Sequence, residues 1–206
     1  MQITSGIYRI LSAPFVYSLY QRLIGANRCR REFMARYVHA GPTDRVLDIG
    51  CGPSEILNSL TSADYVGIDI SFPYLQRAKK QGRPRANFVC GTMECLRQER
   101  SPAFDIVLGI GLLHHLNDDE VRSFFRTASA LLRRGGRTIT FDGCFTPHQN
   151  KIARFFAQRD RGKNVRTEMA YADLAKPFFE KVETDVRHDL LYIPYTHCIM
   201  QCYRDQ

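Results

Sequence analysis

The 206-residue sequence contains no run of 18 apolar residues, so no segment is long enough to cross a bilayer as a helix. It lacks any CxxC pair, and the spacings Cys90-x4-Cys95 and Cys198-x3-Cys202 are not those of a zinc centre, so no metal is expected. Internal repeats and low-complexity stretches are also missing. The first twenty residues are interrupted by Arg9, Ser12 and Pro14 and do not read as an export signal, which predicts a cytoplasmic protein. In that setting seven cysteines, an odd number, predict reduced thiols rather than a disulfide framework.

The remaining composition is that of a folded protein. A hydrophobic fraction of 44% and a charged fraction of 24% exclude wholesale disorder and a fibrous class. The length suits one domain, or one domain with an appended lid, and buries roughly 70% of the surface of the unfolded chain. Lys and Arg outnumber Asp and Glu by 29 to 21, a net charge of +8. That field permits an anionic partner, but the basic residues are scattered and few aromatics interleave with them. No zinc-finger, RNP-type or continuous basic-helix signature is present, so nucleic-acid binding is the weaker reading.

Three textures follow one another along the chain. Residues 1–41 carry apolar positions at helical spacing, from Ile7 and Ile10 through Phe33, Met34, Tyr37 and Val38, with breaks near Pro14 and Gly25. From Asp44 onward short apolar runs recur at Arg45 to Ile49, Tyr65 to Ile70, Asn87 to Cys90, Phe104 to Ile110 and Arg137 to Phe141. Helical stretches, Pro73 to Gln81 and Asp118 to Arg133, alternate with them. That alternation predicts βαβ units and a doubly wound, mostly parallel α/β sheet. Asn117-Asp118-Asp119-Glu120 reads as an acidic helix start, and Arg133-Arg134-Gly135-Gly136 as a basic end with a glycine stop. A basic, helical stretch follows Thr146, and the runs Phe178 to Arg187 and Leu190 to Tyr203 read as a hairpin joined at His188-Asp189 that closes the sheet.

Two strand ends carry the chemistry. Val46-Leu47-Asp48-Ile49-Gly50-Cys51-Gly52-Pro53-Ser54 ends a strand in an acid, followed by two glycines that let backbone approach a ligand, at the edge where open parallel sheets bind ligands. The dinucleotide fingerprint is incomplete, because Glu55 stands at its third glycine position. Pro53 removes an N–H that a pyrophosphate would use, and Glu55 adds negative charge beside it. In Tyr65-Val66-Gly67-Ile68-Asp69-Ile70-Ser71 the acid Asp69 lies 17 residues past Gly52, where it can hold both hydroxyls of a ribose or instead cap the next helix.

Taken with CGTMECL, FDIVLGIGLLHHL and LLRRGGRTITFDG, these stretches resemble the class I S-adenosylmethionine-dependent methyltransferases over about residues 44–143, in the order that family keeps. The flanks are similar to a bacterial subgroup. The resemblance implies a seven-stranded sheet with an antiparallel last strand, a lid formed by residues 1–41 and a cofactor-binding domain over residues 42–206. It implies S-adenosylmethionine as cofactor and S-adenosylhomocysteine as product. Carried over residue by residue, Asp48, Gly50, Cys51 and Gly52 would line the methionine part and Asp69 the ribose, with Ile70 beside the adenine. Thr92 and Met93 would flank the adenine edge, though many members have an acid at the Thr92 position. Gly109, Ile110 and His115 would lie where the fourth strand passes under the cofactor.

The implied reaction transfers a methyl group to a small-molecule acceptor, with oxygen favoured. No Asn/Asp-Pro-Pro-aromatic tetrad follows the fourth strand, where Gly109-Ile110-Gly111-Leu112 stands, which disfavours amino groups of nucleobases or glutamine. His115 and His148 are the candidate general bases, against a packing role for the His114-His115 pair and a solvated helix-start role for His148. Tyr17, Gln21, Cys144 and Gln149 are candidate acceptor contacts, together with Tyr8 and Tyr20, whose alternative is ordinary helix packing. The loop Asp160 to Arg166 carries positive charge that would attract an acceptor bearing a carboxylate or phosphate. An RNA methyltransferase, a cofactor-binding protein without turnover, and an enzyme whose N-terminal helices lie on a membrane to reach a lipid acceptor are the competing readings.

Overall fold

A computed structural model describes residues 23–60, 63–98, 103–160 and 162–205. The first described helix, α1 (Ala26–Phe33), starts at Gly25, whose φ of +83° is a left-handed conformation, and runs on into a π-helical turn, Met34–Val38. The strands then follow in the predicted order: β1 (Arg45–Ile49), β2 (Asp64–Asp69), β3 (Ala86–Cys90) and β4 (Phe104–Ile110). Helix α2 (Phe72–Lys79) connects β2 to β3, and α3 (Asp118–Leu131) follows β4. Between β1 and β2 the described residues form a 3-10 turn, Glu55–Asn58. The chain continues through β5 (Leu132–Phe145), α4 (Lys151–Gln158), the two-residue β6 (Arg166–Thr167), α5 (Glu168–Ala175), β7 (Lys181–Arg187) and β8 (His197–Tyr203).

The strand order is β3-β2-β1-β4-β5-β8-β7, with β6 paired only to the end of β5. Pairing is parallel from β3 to β5, and β8 lies antiparallel between β5 and β7. This is the class I methyltransferase sheet, with the antiparallel last strand where the resemblance puts it. The closing hairpin differs in its turn: β7 and β8 pair from Lys181–Tyr203 to Arg187–His197, so residues 188–196 form a nine-residue connection rather than a tight turn. The glycine stop also differs. Helix α3 ends at Leu131 and the strand begins at once, so Arg133 to Gly136 form a bulge in β5, where the β4 partner steps from Phe104 to Ile106 while β5 advances from Leu132 to Arg137.

Helix α3 shows how the sequence specifies its elements. Asn117 accepts from the Glu120 backbone N–H at 3.0 Å while Glu120 accepts from the Asn117 N–H at 2.7 Å, a reciprocal cap. Val121, Phe124, Phe125, Ala128 and Leu131 then recur on one face and are fully buried, each large side chain stabilising the fold by about 2 kcal/mol. They pack on one side of the sheet with Leu47, Val107, Met200 and Cys202. On the other side α1 and its π-helical turn contribute Cys29, Phe33, Met34, Tyr37 and Val38 to a cluster with Val46, Ile106, Leu108, Ile139 and Ile199. Arg187 of β7 fixes that packing, donating to Glu32 at 2.5 Å and to the Tyr37 hydroxyl at 3.0 Å. Residues 26–38, part of the predicted lid, thus belong to the core. Tyr8, Tyr17, Tyr20 and Gln21 lie outside the described residues.

Candidate functional site

The loops after β1, β2 and β4 meet at one edge of the sheet. After β1 the backbone turns sharply: Gly50 and Cys51 both donate to the Ile68 carbonyl, at 2.8 and 3.1 Å. Gly50 and Gly52 take φ of +72° and +53°, conformations that side chains resist, and a Cβ on Gly50 would stand 2.8 Å from Leu112. Around Gly52 a Cβ would meet nothing within 4 Å, so the loop faces open space there.

Asp48 lies beneath this loop, 2% exposed. Its Oδ2 accepts from the Tyr65 hydroxyl at 2.7 Å, and its Oδ1 has no hydrogen-bond partner. Burial pushes the carboxyl up to about 7. The Tyr65 hydrogen bond opposes that shift and the nearby Asp69 charge adds to it. Among the described residues no cation or donor reaches Oδ1 to balance an ionised carboxylate here. Asp69, at the end of β2, accepts from Gly52 N at 2.8 Å through Oδ2 and from Ser71 N at 2.7 Å through Oδ1. It ties the two loops together, and it is not a helix cap, because α2 has Ser71 at its N-cap position and no side-chain cap. A carboxylate has about four lone-pair sites, so two remain for hydroxyl donors. Ile70 follows, 74% exposed, and Phe72 is also exposed, an apolar platform of the kind a flat heteroaromatic ring covers. These residues fit S-adenosylmethionine: an unpartnered buried acceptor for an ammonium, lone pairs for a ribose, and an apolar seat for adenine.

At the end of β3, Thr92 is exposed and donates to Glu94, while Met93 packs partly into the core. The acid absent at position 92 is thus present two residues on, a placement that reading the motif column by column misses. Gly109 has a different reason from the one predicted. Its missing Cβ points at the Phe124 ring, 2.7 Å from Cζ, so glycine is required for α3 to pack on β4. Ile110 is half-buried and packs against the cluster on the α1 side of the sheet.

The histidine turn reverses the expected roles. His115 is exposed, whereas His114 is largely buried and bridges two carboxylates, with Nδ1 2.7 Å from Asp142 and Nε2 3.3 Å from Asp160. Burial disfavours the charged ring, but the Asp142 hydrogen bond and the charges of Asp142 and Asp160 outweigh it and raise the pKa, favouring imidazolium. Asp160 also accepts from the Tyr195 hydroxyl at 2.9 Å, and the Tyr195 ring lies 4.8 Å from that of His197, which stacks on Phe141. No spacing in the sequence announces this network, because its members lie on β4, β5, β8 and the loops between them.

The other acceptor-side candidates divide. Cys144 is fully buried in the core beside Cys198, on the same face of β5 as Asp142, and offers no exposed surface to a ligand. Gln149 donates to the Cys144 carbonyl at 2.9 Å and leaves its Oε1 buried without a partner. Asp142 Oδ2 is likewise unpartnered. His148 is exposed on the turn after β5 and touches none of these groups. Arg166 does not greet an anion: its guanidinium donates to the Asp118 carboxylate and to the carbonyls of Leu113, Leu116 and Asn164. A polar hollow of about 380 Å³ lined by Tyr37, Glu183, Asp185 and Gln201 lies on the β7–β8 side of the sheet, apart from these loops.

Known proteins agree with this geometry. A family described as "Methyltransferase domain" matches residues 46–136. The ubiquinone biosynthesis O-methyltransferase of Chromobacterium violaceum is 32% identical over 125 residues, covering 58% of this chain and 52% of that protein. The eEF1A lysine and N-terminal methyltransferase of Bos taurus is 31% identical over 109 residues, covering 50% of this chain and 15% of that protein. The chain spans about half the length, or less, of the curated relatives it matches. Among solved structures, the pyocyanin biosynthetic protein PhzM superposes with a TM-score of 0.74 at 17% identity, over 98% of this chain and 62% of the other. A SAM-dependent methyltransferase from Archaeoglobus fulgidus gives 0.72 at 15% identity, over 90% and 99%. Sheet order, loop geometry and the matched family together make residues 46–136 a methyltransferase domain on the class I S-adenosylmethionine-dependent methyltransferase fold.

Proposed function

We propose that the protein transfers a methyl group from S-adenosylmethionine to a hydroxyl oxygen of a small molecule, the acceptor lying at the ends of β4 and β5. The observation that carries this reading is the set of buried, unpartnered acceptor atoms there, Asp142 Oδ2 and Gln149 Oε1, beside the histidine turn. Unsatisfied acceptors cost free energy until a donor reaches them, so they favour a hydroxylated ligand over a carboxylate or phosphate. The names of the Chromobacterium violaceum and Bordetella avium relatives, both O-methyltransferases, point the same way.

When bound, S-adenosylmethionine supplies a methyl carbon already activated by a sulfonium leaving group. In this proposal Asp48 holds the cofactor's ammonium, Asp69 its ribose, and Ile70 and Met93 its adenine. The backbone of Gly50, Cys51 and Gly52 gives the methionine part room. Alignment of acceptor and methyl is the protein's main contribution. His114, already bridging two carboxylates, orients its turn, and exposed His115, its ring 4.1 Å away, takes the hydroxyl proton.

The test is methyl transfer from labelled S-adenosylmethionine to a panel holding a catechol, a primary amine, a carboxylic acid and RNA, with cofactor binding measured in parallel. Transfer to the catechol, and cofactor binding at least tenfold weaker in Asp69→Ala, are expected. Transfer confined to the amine or to RNA overturns the oxygen reading. Binding without transfer to any acceptor class leaves a cofactor-binding protein without turnover, and no binding removes the reading altogether.

A further inference from the structure

Helix α4, KIARFFAQ, has two faces with opposite surroundings. Ala153 and Ala157 are buried against the domain. Ile152, Phe155 and Phe156, at i, i+3 and i+4, share the other face and are 53%, 48% and 36% exposed. Three large apolar side chains on one short helix form a continuous patch, unlike the singly scattered exposed apolar residues of an ordinary surface. The helix contains no acid, and Lys151, Arg154, Arg159 and Lys163 surround the stripe, all exposed. Arg159 stacks 3.7 Å from the Phe155 ring and Arg154 lies over Phe145, so aliphatic stems and aromatic rings form one surface with cationic tips. Nearby Asp160 is turned inward, onto His114 and Tyr195.

We propose that α4 docks the protein on an anionic lipid surface, with Ile152, Phe155 and Phe156 entering the headgroup boundary and Lys151, Arg154, Arg159 and Lys163 meeting lipid phosphates. Charge complementarity selects this occupant: an apolar stripe with a wholly cationic rim matches a bilayer that is apolar inside and negative at its surface. A second copy of this chain, itself +8, would bring cations against cations. Five residues separate α4 from the end of β5, so docking holds the acceptor side of the site close to the membrane.

The test is co-sedimentation of the full chain with vesicles of phosphatidylcholine alone and of phosphatidylcholine mixed with phosphatidylglycerol, at low and moderate salt. Binding to the anionic vesicles, weakened by salt, is expected. Phe155→Ser with Phe156→Ser lowers the partition coefficient at least tenfold, since both rings leave the apolar boundary. Lys151→Gln and Arg154→Gln each lower it about fivefold, the worth of one cation near such a surface. Arg122→Gln, on α3 away from the stripe, leaves it unchanged, and circular dichroism identical to wild type shows that the variants fold. Equal binding by wild type and the double serine variant overturns the proposal. So does an absence of binding to either vesicle, or a stripe that proves to mediate self-association in sedimentation without affecting lipid.

Discussion

Asp48 should make the cofactor-free protein less stable as pH rises, and Asp48→Asn should remove that dependence. In the unfolded chain the carboxyl titrates near 3.8; in the fold burial pushes it up to about 7, a displacement of about three units. At about 1.4 kcal/mol per unit, ionising it costs the folded protein about 4 kcal/mol relative to the unfolded chain. The folded state binds this proton more tightly, so its stabilisation is complete below 3.8 and is lost as pH climbs through about 7. Asparagine carries no such charge. Its oxygen can still accept from Tyr65, while its buried amide loses hydration worth about 1 to 3 kcal/mol. Between about pH 5 and pH 8 the wild type should therefore lose about 3 kcal/mol relative to Asp48→Asn. In thermal unfolding without cofactor, that is a widening of the Tm difference by about 6 to 12 °C. Comparing the two proteins, rather than one across pH, cancels every other titrating group. The same substitution should weaken S-adenosylhomocysteine about tenfold or more, because a neutral amide replaces the partner of an ammonium. Parallel pH profiles for the two proteins would refute the reasoning, since the buried carboxylate would then be ionised at no cost.

Gly109→Ala should lower stability by about 1 to 3 kcal/mol in denaturant titration, because the new methyl meets the Phe124 ring, and should leave cofactor affinity within twofold by calorimetry. His115→Gln should reduce kcat by about a hundred- to ten-thousand-fold with cofactor binding retained, if its imidazole takes the acceptor's proton. His197 is held neutral by burial, its pKa lowered to about 3, while the unfolded chain titrates near 6.5. Its contribution is present above about 6.5 and is lost on acidification, about 2 kcal/mol by pH 5, and the C2 proton resonance of His197 should not move between pH 5 and pH 8.

Which parts of the molecule the sequence revealed follows from where the determinants lie along the chain. Asp48, Gly50, Gly52 and Asp69 sit in two short stretches, each a strand end followed by a turn, so their spacing alone described the loop that Asp69 ties together through Gly52. The strands were legible for the same reason: β1 and β4 are largely buried and show as short apolar runs, each interrupted by one acid. The hairpin turn was misplaced because Leu190 is buried under the sheet like a strand residue, although the backbone there runs as loop. The acceptor side was illegible in a different way. His114 and His115 are indistinguishable as letters, and only the approach of Asp142, 28 residues on, and Asp160, 46 residues on, makes one a largely buried bridge while the other stays exposed. Cys144 and Gln149 look alike as neighbours of the β5 end until core packing buries the first and a hydrogen bond to its carbonyl turns the second inward.

The same contrast bears on how a fold of this kind changes its acceptor. The proposed cofactor side is held by backbone geometry: the main-chain N–H groups of Gly50, Cys51, Gly52 and Ser71 donate to Ile68 or Asp69, and the φ angles of Gly50 and Gly52 allow little substitution. The acceptor side has main-chain ties too, Asn164 N–H donating to the His114 carbonyl and Cys144 N–H to that of Thr196, but its polar groups are set by side chains. The bridge from His114 through Asp160 to Tyr195 joins the histidine turn to the loop before β6 and to the connection between β7 and β8. Replacing Asp160 would remove the side-chain bridge among these segments while leaving β1, β2 and their loops in place. Asp160→Asn should therefore change the acceptor KM and the rate more than the affinity for S-adenosylhomocysteine. An equal loss in both would mean that the two halves of the cleft are held together by the same contacts.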